Sequence, residues 1–209
     1  VTNASVLGAD SILGVKYVLS SYAAPGWEKV ETIQPGNGKS VYYNPYALPV
    51  AFTYDSANIL PNPEEKDEFL YQNQLFSYLS GQNVQVNKRI EAEPKADTNT
   101  VGYDVKHMDN PVYGYFKMKD KDGGKVYVDD QYVTLYNTWL CPSVVYIPQQ
   151  PDTPSTHVRI DGDNMEKRVE SACFYYTDLN ELEKVTQKIQ GRREDGLLIQ
   201  DGSITGTVK

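Results

Sequence analysis

Two acidic turns in the sequence have the residue types of a calcium-binding loop. The segments 120–124 (Asp-Lys-Asp-Gly-Gly) and 161–164 (Asp-Gly-Asp-Asn) both combine Asp with Gly at short spacing. A calcium ion takes about six to eight oxygen ligands, and a hand-type loop needs a Glu at its twelfth position. Counted from Asp120, that position holds Gln131, which cannot supply a bidentate carboxylate. The sequence therefore favours two acidic turns between strands, and we expect no direct metal binding.

Nucleotide chemistry and histidine-based metal chemistry lack the residues that they need. Gly38-Lys39-Ser40 copies the end of a phosphate-binding loop, but Ile33 occupies the position of the first Gly and a strand pattern follows. We interpret this segment as a hairpin turn and expect no cofactor. The two histidines, His107 and His157, lie beside neither Cys nor paired acids, which argues against a zinc-type site.

The two cysteines lie in apolar, strand-like surroundings. Cys141 follows Trp139-Leu140, and Cys173 lies between Ala172 and Phe174. These contexts favour buried inert thiols or a disulfide over a catalytic nucleophile. Cys141–Cys173 is the one intrachain pairing that two cysteines allow, and it is expected if the chain folds outside the cytoplasm.

The sequence does not decide whether the chain cleaves glycosidic bonds with carboxylates or stacks aromatic side chains on sugar rings. Glycoside hydrolysis needs two carboxylates facing each other across a cleft, and the 28 Asp and Glu residues do not single out one pair. The sequence therefore names no catalytic residue. Tyr is abundant, at 17 residues, and exposed Tyr, Trp27 or Trp139 could stack on sugar rings, although Tyr alternating along strands, as at Tyr132 and Tyr136, is typical of sheet packing.

The charge balance excludes two classes of partner. The formal net charge is -8, and Arg192-Arg193 is followed at once by two acids. A chain with this field repels phosphate backbones, so nucleic-acid binding is not expected. The same argument applies to anionic membrane surfaces, and no apolar run reaches the ~18 residues that span a bilayer.

Hydrophobic periodicity and capping residues predict the helices and strands that would position these side chains. Asn62, Pro63 and Gly81 predict a helix from Asn62 to Ser80, and Asp178 predicts the beginning of a second helix. Alternating segments between turn residues predict strands. These segments are 15–19, 27–33, 40–43, 84–92, 100–106, 112–118, 125–128, 132–136, 144–147, 157–160, 169–176, 197–199 and 203–208.

The pattern indicates an α+β fold of mostly antiparallel β structure. We expect a jelly-roll-like β-sandwich over residues 83–209 with two peripheral helices, preceded by a small N-terminal α+β lobe over residues 1–82. The two parts are expected to pack as one compact unit.

Several ordered blocks of the chain resemble one family of bacterial proteins. The blocks are Leu13–Leu19, Tyr43–Phe52, the Asn62-Pro63 helix with Gln74 and Leu79, Phe174–Asp178 and Gly202–Val208. Together they resemble the extracytoplasmic domain of the YfhO family of large membrane proteins. Members of this family look like multi-spanning, GT-C-like glycosyltransferases that move a sugar from a polyprenyl-phosphate donor onto cell-envelope polymers, lipoteichoic acid among them.

The resemblance implies a non-catalytic domain on the extracytoplasmic face of the bacterial cell membrane. Its partners would be the transmembrane part of the same polypeptide and the glycan acceptor that it binds or presents. The chain begins at Val1 without an initiator Met, so we expect a segment of a longer protein. The alternatives are a soluble glycan-active hydrolase and a surface carbohydrate- or protein-binding module.

Overall fold

A computed structural model describes residues 5–23, 26–33, 35–50, 52, 58–120, 123–136, 143–191, 198–200 and 203–205. The helices are α1 (Leu7–Ile12), α2 (Glu68–Ser80), α3 (Met165–Arg168) and α4 (Leu179–Gly191). The strands are β1 (Tyr17–Ser20), β2 (Glu28–Lys29), β3 (Ser40–Tyr43), β4 (Asn87–Ile90), β5 (Pro94–Asp97), β6 (Thr100–Lys106), β7 (Val112–Met118), β8 (Gly124–Val128), β9 (Gln131–Tyr136), β10 (Val145–Tyr146), β11 (Ser155–Asp161), β12 (Val169–Thr177), β13 (Leu198–Gln200) and β14 (Ser203–Thr205).

The chain divides into two compact units, and the division differs from the predicted boundary at residues 82 and 83. One unit comprises Val1–Val6 and Lys88–Thr177, and the other comprises Leu7–Asn87 and Asp178–Lys209. The physical reason is the apolar stripe of α4. Leu182 and Ile189 belong to one buried cluster with Phe76 of α2, so the C-terminal helix packs with the N-terminal half of the chain.

The first unit is built from two antiparallel sheets in a sandwich-like arrangement. The four-stranded sheet has the order β10-β7-β12-β4, and the five-stranded sheet has the order β5-β6-β11-β8-β9. Side chains alternate along β11, where Thr156, Val158 and Ile160 are buried and their neighbours are half-exposed. The inner faces share one core, in which Tyr103 of β6 meets Phe174 of β12 with ring centroids 5.3 Å apart. The predicted α+β, mostly antiparallel class is confirmed.

Two elements of this unit were not predicted from the sequence. All four residues of β5 are exposed, so the strand lacks the alternation that indicates a half-buried strand. It pairs with β6 at one edge of the five-stranded sheet, where Pro94 is tolerated. The single turn α3 follows Asn164, which has a positive φ of 53°.

The second unit combines a small sheet with helices. Its sheet has the order β1-β3-β2. The predicted hairpin at Gly38 is confirmed, because β2 pairs with β3 and both Asn37 (φ 69°) and Gly38 (φ 67°) have the left-handed conformation of a tight turn. Leu7 of α1, Phe76 of α2 and Leu182 of α4 belong to its buried core.

The helix ends show one wrong and two confirmed predictions. The predicted N-cap Asn62 is wrong, because α2 begins six residues later, where the Asp67 carboxylate accepts hydrogen bonds from the Phe69 and Leu70 N–H groups. Asn62 instead closes a turn, with the Glu65 N–H donating to its carbonyl at 3.1 Å. Gly81 ends α2 with a φ of 68°, and Asp178 caps α4, as predicted.

Within the described parts of the chain, no helix has both the length and the apolar character needed to cross a membrane.

Candidate functional site

The two acidic turns are held by an arginine. Asp120 follows β7, and Gly124 begins β8. The Arg168 guanidinium donates to both Asp120 carboxylate oxygens, at 2.7 and 3.0 Å. It also donates to the carbonyl oxygens of Gly123, at 3.3 Å, and of Asp163, at 3.1 Å. A fixed cationic side chain therefore supplies the positive charge that a bound ion would have brought to these oxygens.

The histidines lie apart on the sandwich unit. His157 Nδ1 is 2.8 Å from Asp104 Oδ1 on the outer face of the five-stranded sheet. Hydrogen bonds from Lys95 and then from His157 lower the pKa of the Asp104 carboxyl below its usual value. His107 Nε2 lies 3.5 Å from Asp109. The described ranges contain no group of three or more His, Cys, Asp or Glu side chains placed to hold a metal ion.

The predicted disulfide lies partly outside the described residues. Cys173 is buried in β12, with 4% of its surface exposed. Cys141, its predicted partner, is not among the described residues, so the pairing stays a prediction.

The aromatic side chains considered for sugar stacking are mostly taken up by packing. Trp27 is buried, with 8% exposed, and Tyr136 is fully buried. The Arg159 guanidinium lies 4.5 Å from the centroid of the Tyr127 ring and covers one face of it. Tyr132 is 58% exposed and packs edge-on against Tyr127. Trp139 lies outside the described residues.

A groove lined by amide and aliphatic side chains in the second unit is the strongest candidate site. It has a volume of about 830 Å³ and runs along α2, between the segments 58–62 and 81–85. One face of α2 forms its wall, because Leu70, Asn73, Ser77 and Gly81 follow one another at a spacing of three to four residues. The opposite face of the helix is buried, so the orientation of the wall is fixed by the core.

Part of the groove is preorganised by hydrogen bonds. The buried Asn73 side chain donates to the Asn87 carbonyl and accepts from the Asn87 N–H, both at 2.8 Å. Gln74 Oε1 accepts from the Asn62 N–H at 2.7 Å. The Ser77 hydroxyl donates to the Asn73 carbonyl at 2.8 Å and accepts from the Val84 N–H at 3.1 Å. These bonds fix the geometry of the wall before any ligand arrives.

Three amide side chains of the groove remain free to bind a ligand. Gln82, Asn83 and Gln85 follow the end of α2, line the groove and are exposed. Their side-chain amides have no hydrogen-bond partner among the described residues. Each amide offers two N–H donors and a carbonyl acceptor, so the three together can recognise groups that both donate and accept.

The remaining lining side chains supply an apolar rim. Ile59 is 91% exposed, Leu60 is 71% exposed, and Leu70 is 41% exposed. All three line the groove together with the half-buried Val84. A ligand with an apolar face can remove this surface from water, at about 25 cal/mol per Å² of apolar area.

The charge of the groove limits its chemistry. Glu65 is the one charged side chain among the described lining residues, whereas seven of these residues are Asn or Gln. A second carboxylate, which glycoside hydrolysis requires, is absent from this described lining. No lysine or arginine lies there to neutralise a phosphate. The arrangement can bind a neutral, hydroxyl-rich molecule.

Sequence reasoning did not find this groove. Its residues come from segments about twenty positions apart along the chain, and only the folded path of α2 brings them together. The signal that could have indicated it is the run Gln82-Asn83-Val84-Gln85, whose amides follow directly after the end of a helix.

Comparisons with known proteins identify no relative. No family model matches the chain, and no curated protein or solved structure matches it.

Proposed function

We propose that this chain is a non-catalytic, glycan-binding domain that presents an acceptor polymer to a bacterial multi-spanning membrane glycosyltransferase, of which it is the extracytoplasmic part. The observation that carries the binding role is the groove along α2, where free amides and an exposed aliphatic rim accompany a single carboxylate. The assignment to a membrane glycosyltransferase rests on the resemblance of the blocks from Leu13–Leu19 to Gly202–Val208 to the YfhO family.

The ligand class follows from the hydrogen-bonding groups. A sugar hydroxyl both donates and accepts, and the free amides of Gln82, Asn83 and Gln85 do the same. The C–H face of a sugar ring fits the aliphatic rim at Ile59 and Leu60. Sugar-binding sites combine such a surface with a few convergent polar groups.

Electrostatics favour the neutral sugar units of the polymer over its phosphates. The chain carries a net charge of -8, and the described lining of the groove offers no cationic side chain. A polyanion would be repelled by this field. We therefore infer that the groove binds glycosyl residues and that phosphate groups of an acceptor polymer stay in solvent.

The same lining disfavours the hydrolase alternative. Both the retaining and the inverting mechanisms place two carboxylates about 5–10 Å apart across the scissile bond. Glu65 lies in the groove without such a partner among the described lining residues, and its Oε2 is instead 3.5 Å from Gln74 Nε2. The groove therefore supports binding without bond cleavage.

Titration of the purified domain tests this proposal. A neutral gluco-oligosaccharide should bind saturably, and a polyglycerol phosphate of similar length should bind at least about tenfold more weakly. Losing one neutral hydrogen bond costs about 0.5–1.5 kcal/mol, so Asn83→Ala and Gln85→Ala should each weaken binding roughly two- to tenfold.

A matched control separates the groove from the general surface. Gln187→Ala removes an exposed amide from α4, outside the groove, and should leave the affinity unchanged. The proposal is wrong if no neutral oligosaccharide binds saturably, or if Gln187→Ala weakens binding as much as Asn83→Ala does.

A further inference from the structure

A second cavity lies within the sandwich unit. It is a slot of about 270 Å³ that opens where β6 of one sheet approaches the beginning of β12 of the other. Its walls are mainly small apolar side chains, namely those of Ala92, Ala96, Val101, Val169 and Ala172. The volume lies below the ~300–1,000 Å³ of pockets for drug-sized ligands, so the slot suits a molecule of monosaccharide size or smaller.

The largely buried side chain of Tyr103 lines this slot. Tyr103 is 3% exposed, and its ring is held by Phe174 at 5.3 Å and Phe116 at 6.2 Å. Its hydroxyl has no hydrogen-bond partner among the described residues. Burial raises the pKa of Tyr103 to about 12, so the hydroxyl keeps its proton at neutral pH. Because this hydroxyl bonds to no described group of the protein, a ligand in the slot can hydrogen-bond to it.

Two uncompensated carboxylates line the same slot. Glu166 and Glu170 are exposed, and neither has a hydrogen-bond or ion-pair partner for its side chain among the described residues. The described lining of the slot contains these two negative charges and no lysine or arginine, which favours a positively charged ligand.

A β-bulge places one of these carboxylates. Val169 pairs with Met118 and Ser171 pairs with Lys117, so Glu170 is the extra residue of β12. Bulges redirect a side chain and are common beside functional sites. Ser171 also lines the slot, and its hydroxyl has no partner in the described part of the chain.

We propose that the slot binds a small organic cation that carries hydroxyl groups, of the amino alcohol or amino sugar class. Its ammonium group lies with Glu166 and Glu170, its hydroxyls bond to Tyr103 and Ser171, and its hydrocarbon part contacts the alanine-rich walls. This site is independent of the proposed function, because it lies in the other unit and binds a cationic ligand instead of a neutral one.

Ligand titration tests the charge requirement. At about pH 6, where an alkyl amine is protonated and a carboxylate is ionised, glucosamine should bind saturably. Glucose and N-acetylglucosamine share its ring and lack the cationic charge, and each should bind at least about tenfold more weakly. Equal binding of glucose and glucosamine, or no saturable binding of glucosamine, would overturn the proposal.

Two variants assign the binding to this slot. Glu170→Gln should weaken glucosamine binding roughly tenfold, whereas Glu64→Gln, the same change at an exposed position outside the slot, should leave it unchanged. Tyr103→Phe should weaken binding several-fold and leave the free energy of unfolding equal or higher, because the hydroxyl has no partner to lose. Glucosamine affinity that is unaffected by both Glu170→Gln and Tyr103→Phe would contradict the site, as would a Tyr103→Phe variant destabilised by more than ~1 kcal/mol.

Discussion

The hydroxyl of Tyr136 links the two sheets of the sandwich, and its removal is a sensitive test of this packing. Tyr136 is the last residue of β9 and is fully buried. Its hydroxyl accepts a hydrogen bond from the Phe116 N–H and donates one to the Phe116 carbonyl, both at 2.8 Å. In the described part of the chain, β10 pairs with Tyr113 and Gly114 of β7. At Phe116 the Tyr136 hydroxyl supplies the two hydrogen bonds that a paired strand would otherwise make.

Tyr136→Phe should destabilise the protein strongly for so small a change. The variant leaves one N–H and one C=O buried without partners, and each such group costs about 1–3 kcal/mol. We expect the free energy of unfolding to fall by roughly 2–4 kcal/mol. The ring stays in place and keeps its edge-on contact with Phe116 at 5.2 Å, so the loss reports on the hydroxyl alone.

Urea denaturation measures this loss. The midpoint should move to lower urea with an unchanged slope, because the surface exposed on unfolding is the same. Tyr132→Phe is the control, since Tyr132 lies on the same strand with 58% of its surface exposed, and it should change stability by less than ~0.5 kcal/mol. A Tyr136→Phe variant as stable as the Tyr132→Phe variant would show that the Tyr136 hydroxyl does not stabilise the contact between the sheets.

Three further predictions concern charge and capping. Arg168→Met removes the guanidinium that joins the two acidic turns and should lower the free energy of unfolding by about 2–4 kcal/mol in chemical denaturation; a loss below ~1 kcal/mol would contradict its bridging role. Because its partners lower the pKa of Asp104 in the folded protein, this group stabilises the fold above its unfolded pKa, and that stability is lost as pH falls below about 4. With Asp104→Asn, the free energy of unfolding should therefore fall less steeply at acid pH than in the unsubstituted protein. The difference should stay below ~1 kcal/mol, since the Asp104 side chain is 42% exposed. An unchanged or steeper fall would contradict this. Asp67→Ala should cost about 1–2 kcal/mol of stability and Asn62→Ala much less; the reverse order would restore Asn62 as the cap of α2.

Strands in the interior of the sheets were predictable from the sequence. β6 and β7 have the predicted bounds, 100–106 and 112–118. Each strand contains a run of consecutive buried residues, 101–103 in β6 and 112–116 in β7, so the apolar pattern is strong. Edge strand β5 has no buried face, and hydrophobicity therefore carries no signal for it.

The capping residues in the sequence did not decide where α2 begins. Asn62, Pro63 and Glu65 form a good N-terminal signature, and Asp67 forms a second one a few residues later. The fold uses Asp67, whose carboxylate accepts hydrogen bonds from the Phe69 and Leu70 N–H groups. Only 7% of the surface of Asp67 is exposed. Burial of a charged cap depends on tertiary packing, which the local sequence does not contain.

Neither candidate binding site could be read from the sequence. The groove needs the segments 58–62 and 81–85 on the same side of α2, and the slot needs β6 beside the beginning of β12. These juxtapositions arise from topology. Tyr103 becomes notable only because the fold places its side chain along the slot.

Side-chain amide signals in a ¹⁵N-correlated NMR titration give the most direct test of glycan binding by the groove. With a neutral gluco-oligosaccharide, we expect saturable shifts of Gln82, Asn83 and Gln85, which are exposed along the groove, and little response from Gln187 on α4. Absence of shifts at these three residues, or an equal response to polyglycerol phosphate, would contradict it.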